Sequence, residues 1–302
     1  MGHLFTGVID EILTPFNEDR SINYLMLEKM IQWHLDMGIK AFFVNGLGAE
    51  CQALTNEEKV KILKTIHKVT KGKAKLMVCS FENSLEQNKQ LLDLYEETNM
   101  ADAYCITAPP FFNHNQVSLY DYTSELLNYL PDKPFYIYNC VQMANLYDPD
   151  TLLKLVKNHS NLRGFKDASV DILNFQQCVL RIDPEKFDFL GGCDGLDGIM
   201  MLLGAVGCVS FMAVPFPKEM IDIVEYGLKG DYKKTIEAQQ KVLRIRNIVK
   251  KAPFNAAYIY AMKYGGGPTG MHSRMPKNQD FVPDEVKKEL DELMKELGYE
   301  VE

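Results

Sequence analysis

The sequence predicts an α/β fold, a (β/α)8 TIM barrel carrying extra C-terminal helices, and three observations carry that prediction. Short apolar runs alternate with longer amphipathic ones over roughly the first two hundred residues, the signature of βα units around a parallel sheet. There are eight such runs, the number that closes a barrel. After Pro215 the pattern becomes purely helical. An open doubly wound sheet is the alternative, but the glycine fingerprint that usually marks it is missing.

Strands are expected over 7–13, 41–45, 75–79, 103–107, 135–139, 164–166, 187–190 and 205–210. Apolar periodicity places intervening helices over 24–37, 57–69, 84–97 and 116–130, with start signals at Asn56-Glu57-Glu58 and Asp150. Later helices are expected over 218–228, 232–250, 253–264 and 284–297. The Gly265–Gly270 turn reads as a connector, because no strand precedes it and no Gly-Lys-Ser/Thr follows. The chain therefore reads as a single domain over 1–302. Its barrel core spans 1–214, and about 215–302 supply the last barrel helix and a helical appendage.

Composition narrows the function. A net charge of −8 argues against a nucleic-acid partner, and an anionic substrate would need local donors. Seven cysteines without a CxxC pair argue against a disulfide scaffold or zinc site, and read as reduced thiols in a cytoplasmic protein. The six histidines show no metal spacing. No run is long enough to span a membrane, and the N-terminus lacks a leader pattern. Neither metal nor organic cofactor is expected.

Lys166 is the most informative residue. It closes an apolar strand in Gly164-Phe-Lys-Asp-Ala-Ser169, and lysine is among the residues least often buried. Imine formation would give an inward-pointing lysine a purpose: burial favours the neutral amine, which attacks a carbonyl carbon. The alternative is a rim lysine whose stem snorkels over apolar neighbours. Tyr138 ends the preceding strand, where a phenol can move protons or simply pack at the rim. Gly46 to Glu50 forms a small-residue turn whose backbone N–H groups can face an anion.

Together with Thr14-Pro15-Phe16, Pro110-Phe111-Phe112-Asn113, Gly192-Cys-Asp194 and Gly204-Ala-Val-Gly207, these segments resemble, in order, one family. It is the N-acetylneuraminate lyase and dihydrodipicolinate synthase family of pyruvate-dependent class I aldolases. The resemblance covers nearly the whole chain. It implies a Schiff-base lysine at Lys166, a catalytic tyrosine at Tyr138 and a homo-oligomer, tetramer or dimer.

Departures from the family pattern concern the substrate. The turn's two hydroxyl residues are replaced by Leu47 and Gly48, leaving the N–H groups of Gly48 and Ala49 as candidate donors. Phe111-Phe112 stands where a relay tyrosine crosses a subunit interface. Met143, in Val141-Gln142-Met143, stands where synthases carry an arginine. Gly195 follows Asp194 where sialic-acid lyases carry an acid, and Phe211, next to Ser210, falls near a sugar-contacting serine. Leu47, Phe112, Met143 and Phe211 predict an apolar pocket wall. Asp194 reads either as a contact for a substrate hydroxyl or as a helix cap. The expected function is a lyase or aldolase joining or splitting a small 2-keto acid and an aldehyde. The two named family activities are one alternative, and a non-catalytic barrel binding a small acid is the other.

Overall fold

The computed structural model describes residues 2–276 and 281–300. Eight parallel strands close into a barrel in sequence order: β1 (Gly7–Asp10), β2 (Ala41–Val44), β3 (Lys75–Ser80), β4 (Ala103–Thr107), β5 (Phe135–Cys140), β6 (Leu162–Ala168), β7 (Asp188–Gly191) and β8 (Gly207–Ser210). Closure comes from β1 pairing with β8, with Gly7 opposite Gly207 and Asp10 opposite Ser210. The strands are buried on both faces, which is why they read as apolar runs rather than alternating ones.

Helices α1 (Tyr24–Asp36), α2 (Asn56–Thr70), α3 (Leu85–Glu96), α4 (Gln116–Tyr129), α5 (Pro149–Asn158), α6 (Ile172–Arg181), α7 (Asp197–Leu202) and α8 (Pro217–Leu228) follow the strands in turn. Beyond them lie α9 (Tyr232–Val249), α10 (Ala256–Gly265) and α11 (Asp284–Glu296), with α9 packed on α7 and α8 and α11 on α9. The helix starts lie slightly upstream of the expected signals. Thr55 and Glu58 form a capping box on α2, and Asp148 caps α5 ahead of Pro149.

Most strand ends shift by one or two residues from expectation, and two strands depart furthest. The first strand stops at Asp10 rather than residue 13, because Phe16 turns back to bridge Ile22 and His272. The sixth extends over Leu162–Ala168, since β5 pairs with it through Ala168. Gly265 to Gly270 does act as a connector, and Gly266 ends α10 at φ 74°.

Two layers of core follow. Residues facing outward from the strands pack under the helices, whereas Ile9, Phe43, Met77, Cys79, Cys105, Tyr136, Leu190 and Val209 fill the barrel itself. The filled interior places a ligand above it, at the C-terminal strand ends.

Candidate active site

Strand parity delivers the two central side chains. Tyr138 on β5 lies opposite Lys166 on β6, and both point into the barrel mouth. Their neighbours point the other way and build the support: Asn139 donates to Asp167 at 3.1 Å, and Asp167 also accepts from the Ser169 N–H at 2.9 Å. Asn139 in turn accepts from the Tyr147 N–H at 3.0 Å. Lys166 is fully buried, with its Nζ 3.7 Å from the Tyr138 ring centre and 4.1 Å from that of Phe43. Gly192 makes room for it: a Cβ there would stand 3.1 Å from both Cγ and Cε of Lys166.

The lysine is buried, as expected from sequence, but its amine has an ionic partner that the sequence did not suggest. Glu11, just past β1, places Oε2 at 2.8 Å from its Nζ. The other oxygen, Oε1, accepts the Gly48 N–H at 2.8 Å. Glu11 is only 6% exposed, so this is a buried, hydrogen-bonded ion pair of the kind that offsets the cost of burying both charges. Burial, then the Glu11 charge, push the Tyr138 phenol well above its ordinary range.

Nothing in the sequence resemblance pointed to Glu11. The available signal was two consecutive acids in an apolar strand, Asp10-Glu11, which alternation must send to opposite faces. Asp10 lies beneath α1, 3.4 Å from His34, and Glu11 lies in the mouth.

A cavity of about 240 Å³ opens above this pair. Of the expected binding residues, Leu47, Gly48, Asp194 and Phe211 line it. Ala49 does not supply a donor, because its N–H closes the turn onto the Gly46 carbonyl and its own carbonyl accepts from Thr14. Ser210 is fully buried behind the wall, donating to Asp194 at 2.6 Å and accepting from the Ala213 N–H. Asp194 therefore does not cap α7, which begins after Leu196 without a side-chain cap. Burial raises the Asp194 carboxyl, with the Ser210 hydroxyl opposing.

Phe112 is 76% exposed and outside the cavity, held there as Asn145 donates to the carbonyls of Pro109 and Phe112. Met143 is buried among Tyr138, Cys140 and Phe81, so Val141 and Gln142 face the cavity in its place. The reason is a single 3-10 turn over Val141–Met143, which rotates the third residue inward.

The apolar wall is thus corrected to a mixed one. Phe211 stacks on Phe254 at 5.5 Å and packs against Tyr258, but Arg246 and Lys250 also line the cavity. Arg246 lies in the last turn of α9 and Lys250 just beyond it, in the stretch whose sequence pattern reads as a helical appendage. Partial desolvation and the Arg246 charge lower Lys250. All seven thiols are free, and burial pushes Cys140 up to about 12, which argues against a thiolate nucleophile there. Among the described residues no group of His, Cys, Asp and Glu could hold a metal ion, and no helix is long and apolar enough to cross a membrane.

A profile of the dihydrodipicolinate synthetase family matches residues 4–297. The 4-hydroxy-tetrahydrodipicolinate synthase of Fervidobacterium nodosum is 30% identical over 232 residues, 76% of this chain and 77% of that protein. A dihydrodipicolinate synthase crystal structure superposes with TM-score 0.88 at 25% identity, over 97% of this chain and 99% of the other. The N-acetylneuraminate lyase of Proteus mirabilis shares the fold at TM-score 0.85 and 23% identity, over 98% and 99% of the two chains.

Proposed function

We propose, from the premise that the chain belongs to the dihydrodipicolinate synthetase family of Schiff-base-forming carbon–carbon lyases, that Lys166 forms an imine with a small carbonyl substrate. The observation that supports it best is a fully buried lysine at a strand end, with a proton acceptor 2.8 Å away and a phenol beside it. Nζ attacks the carbonyl carbon as its proton passes to Glu11. Tyr138, held protonated by its surroundings, donates to the carbinolamine hydroxyl, which leaves as water. The protonated imine then accepts the electron pair of the carbon–carbon bond being broken and becomes an enamine, while the Tyr138 phenolate left by dehydration takes the proton of the neighbouring hydroxyl, so that an aldehyde departs.

Pyruvate is the family's carbonyl donor, and it heads the panel of 2-keto acids and simple ketones to be tried. Incubation with each compound and borohydride should fix a secondary amine on Lys166, read by intact mass and peptide mapping. Lys166→Ala should remove it. A panel that leaves Lys166 unmodified throughout would refute the imine.

The chain is further proposed to act as a cytoplasmic homo-oligomer, dimer or tetramer. Seven free thiols support the compartment. Exposed Phe111, Phe112 and Val117, neighbours along the loop after β4 and the start of α4, support a subunit contact.

A further inference from the structure

The anion-binding turn and the buried lysine already share a carboxylate, and it belongs to the protein. Glu11 takes the Gly48 N–H with one oxygen and the Lys166 ammonium with the other. We propose that Glu11 is a specificity-determining residue that reverses the charge preference of the imine subsite. The favoured donor is then a carbonyl compound with no carboxylate next to its carbonyl, and any anionic group it carries lies toward Arg246 and Lys250. This rests on the imine reading at Lys166.

Two features of the packing support it. Glu11 has nowhere better to go, being 6% exposed and enclosed by the turn: a Cβ on Gly46 would stand 3.0 Å from its Oε1, and one on Gly48 3.2 Å. A substrate carboxylate beside Lys166 would have to displace this charge from both its partners or sit against it, and like charges at such range repel strongly in a buried site. Nor are replacement donors at hand, since the Ala49 N–H is spent within the turn.

Across the cavity Arg246 and Lys250 bring positive charge, with Asp194 on the same wall held by the Ser210 hydroxyl. Arg246 forms no ion pair among the described residues; its Nε has no partner, and Nη2 reaches only the Cys193 sulfur at 3.9 Å. Gly195 lies beside the guanidinium, where a Cβ would touch Nη1 at 3.5 Å. A half-buried guanidinium with open donors is suited to a carboxylate or phosphate.

Three ketones of one carbon skeleton separate these effects: 2-oxopentanoate, 4-oxopentanoate and uncharged pentan-2-one. Borohydride trapping rates on Lys166 are compared as ratios within each protein, so that any general loss of reactivity in a variant cancels. The wild-type order should be 4-oxopentanoate, then pentan-2-one, then 2-oxopentanoate. Glu11→Ala should raise 2-oxopentanoate against pentan-2-one by about tenfold or more. Arg246→Gln should bring 4-oxopentanoate down to the level of pentan-2-one while leaving the 2-oxopentanoate ratio unchanged. Preferential trapping of 2-oxopentanoate by the wild type, with its ratio unmoved in Glu11→Ala, would overturn the proposal and leave the imine intact. Absence of any adduct at Lys166, in wild type and both variants, would remove the imine and the proposal with it.

Discussion

At the scale of single residues the site depends on which protons its neighbours hold. Tyr138 is buried beside a carboxylate, and both influences raise its phenol, so it remains protonated at neutral pH. It can donate a proton but holds no standing phenolate to accept one. Tyr138→Phe preserves the ring against Phe43 and Phe81 and removes only the hydroxyl. The expected result is a fall in kcat of about 10²–10⁴-fold, with KM changed far less, in a protein that keeps its wild-type Tm. Unchanged turnover at saturation would assign the proton to another group. Lys166 and Tyr138 were legible because each ends an apolar run with a chemically odd residue. Glu11 was not, because a side chain's partner across a barrel is set by closure and leaves no local trace.

Elements meet at junctions where burial overrides ordinary titration. Between β1 and α1, Asp10 is fully buried without a hydrogen bond among the described residues, 3.4 Å from His34. Burial, then the Glu11 charge, raise Asp10 well above 3.8, while burial lowers His34 to about 4. For Asp10 the folded pKa exceeds the unfolded one. Its contribution to stability is therefore full below about 3.8 and is lost as pH rises through the raised value. For His34 the reverse holds: stability is full above 6.5 and is lost as pH falls toward about 4. Asp10→Asn removes the first dependence and keeps the second. The Tm difference, variant minus wild type, should consequently be more positive at pH 8 than at pH 5. An equal difference at both would mean that the carboxylate is stabilised where it lies.

A second junction explains why the Gly46–Glu50 turn holds its shape. Glu50 accepts from the Ser273 hydroxyl, the N–H groups of Arg274 and Met275, and the Asn255 amide. Asn255 also donates to the Gly48 carbonyl, so the segment around α10 fixes the turn that receives Glu11. The sequence marked this turn as glycine-rich and gave no sign that residues two hundred positions away would anchor it.

For the molecule as a whole, the critical seam is the one where first and last strands meet. Gly7 faces Gly207 there, and a Cβ on Gly207 would overlap the Gly7 carbonyl oxygen and stand 2.8 Å from its nitrogen. Both obstacles are backbone and cannot rotate away. Overpacking of this kind costs about 1–3 kcal/mol, so Gly207→Ala should lower Tm by roughly 2–5 °C in a thermal scan. A wild-type Tm would show that the seam opens without penalty.

Local order along the chain determined the fold class, nearly every element and the two residues on which the proposed imine rests. Burial on both faces makes barrel strands apolar, amphipathic helices must cover them, and a lysine or tyrosine at a strand end stands out against that background. Tertiary structure alone decided what surrounds the lysine. Closing β1 onto β8 carries Glu11 into the mouth, a 3-10 turn buries Met143 and presents Gln142, and α9 folds back to bring in Arg246 and Lys250. Those side chains set the charge of the pocket, and charge acts through distance in space, which a linear pattern does not contain.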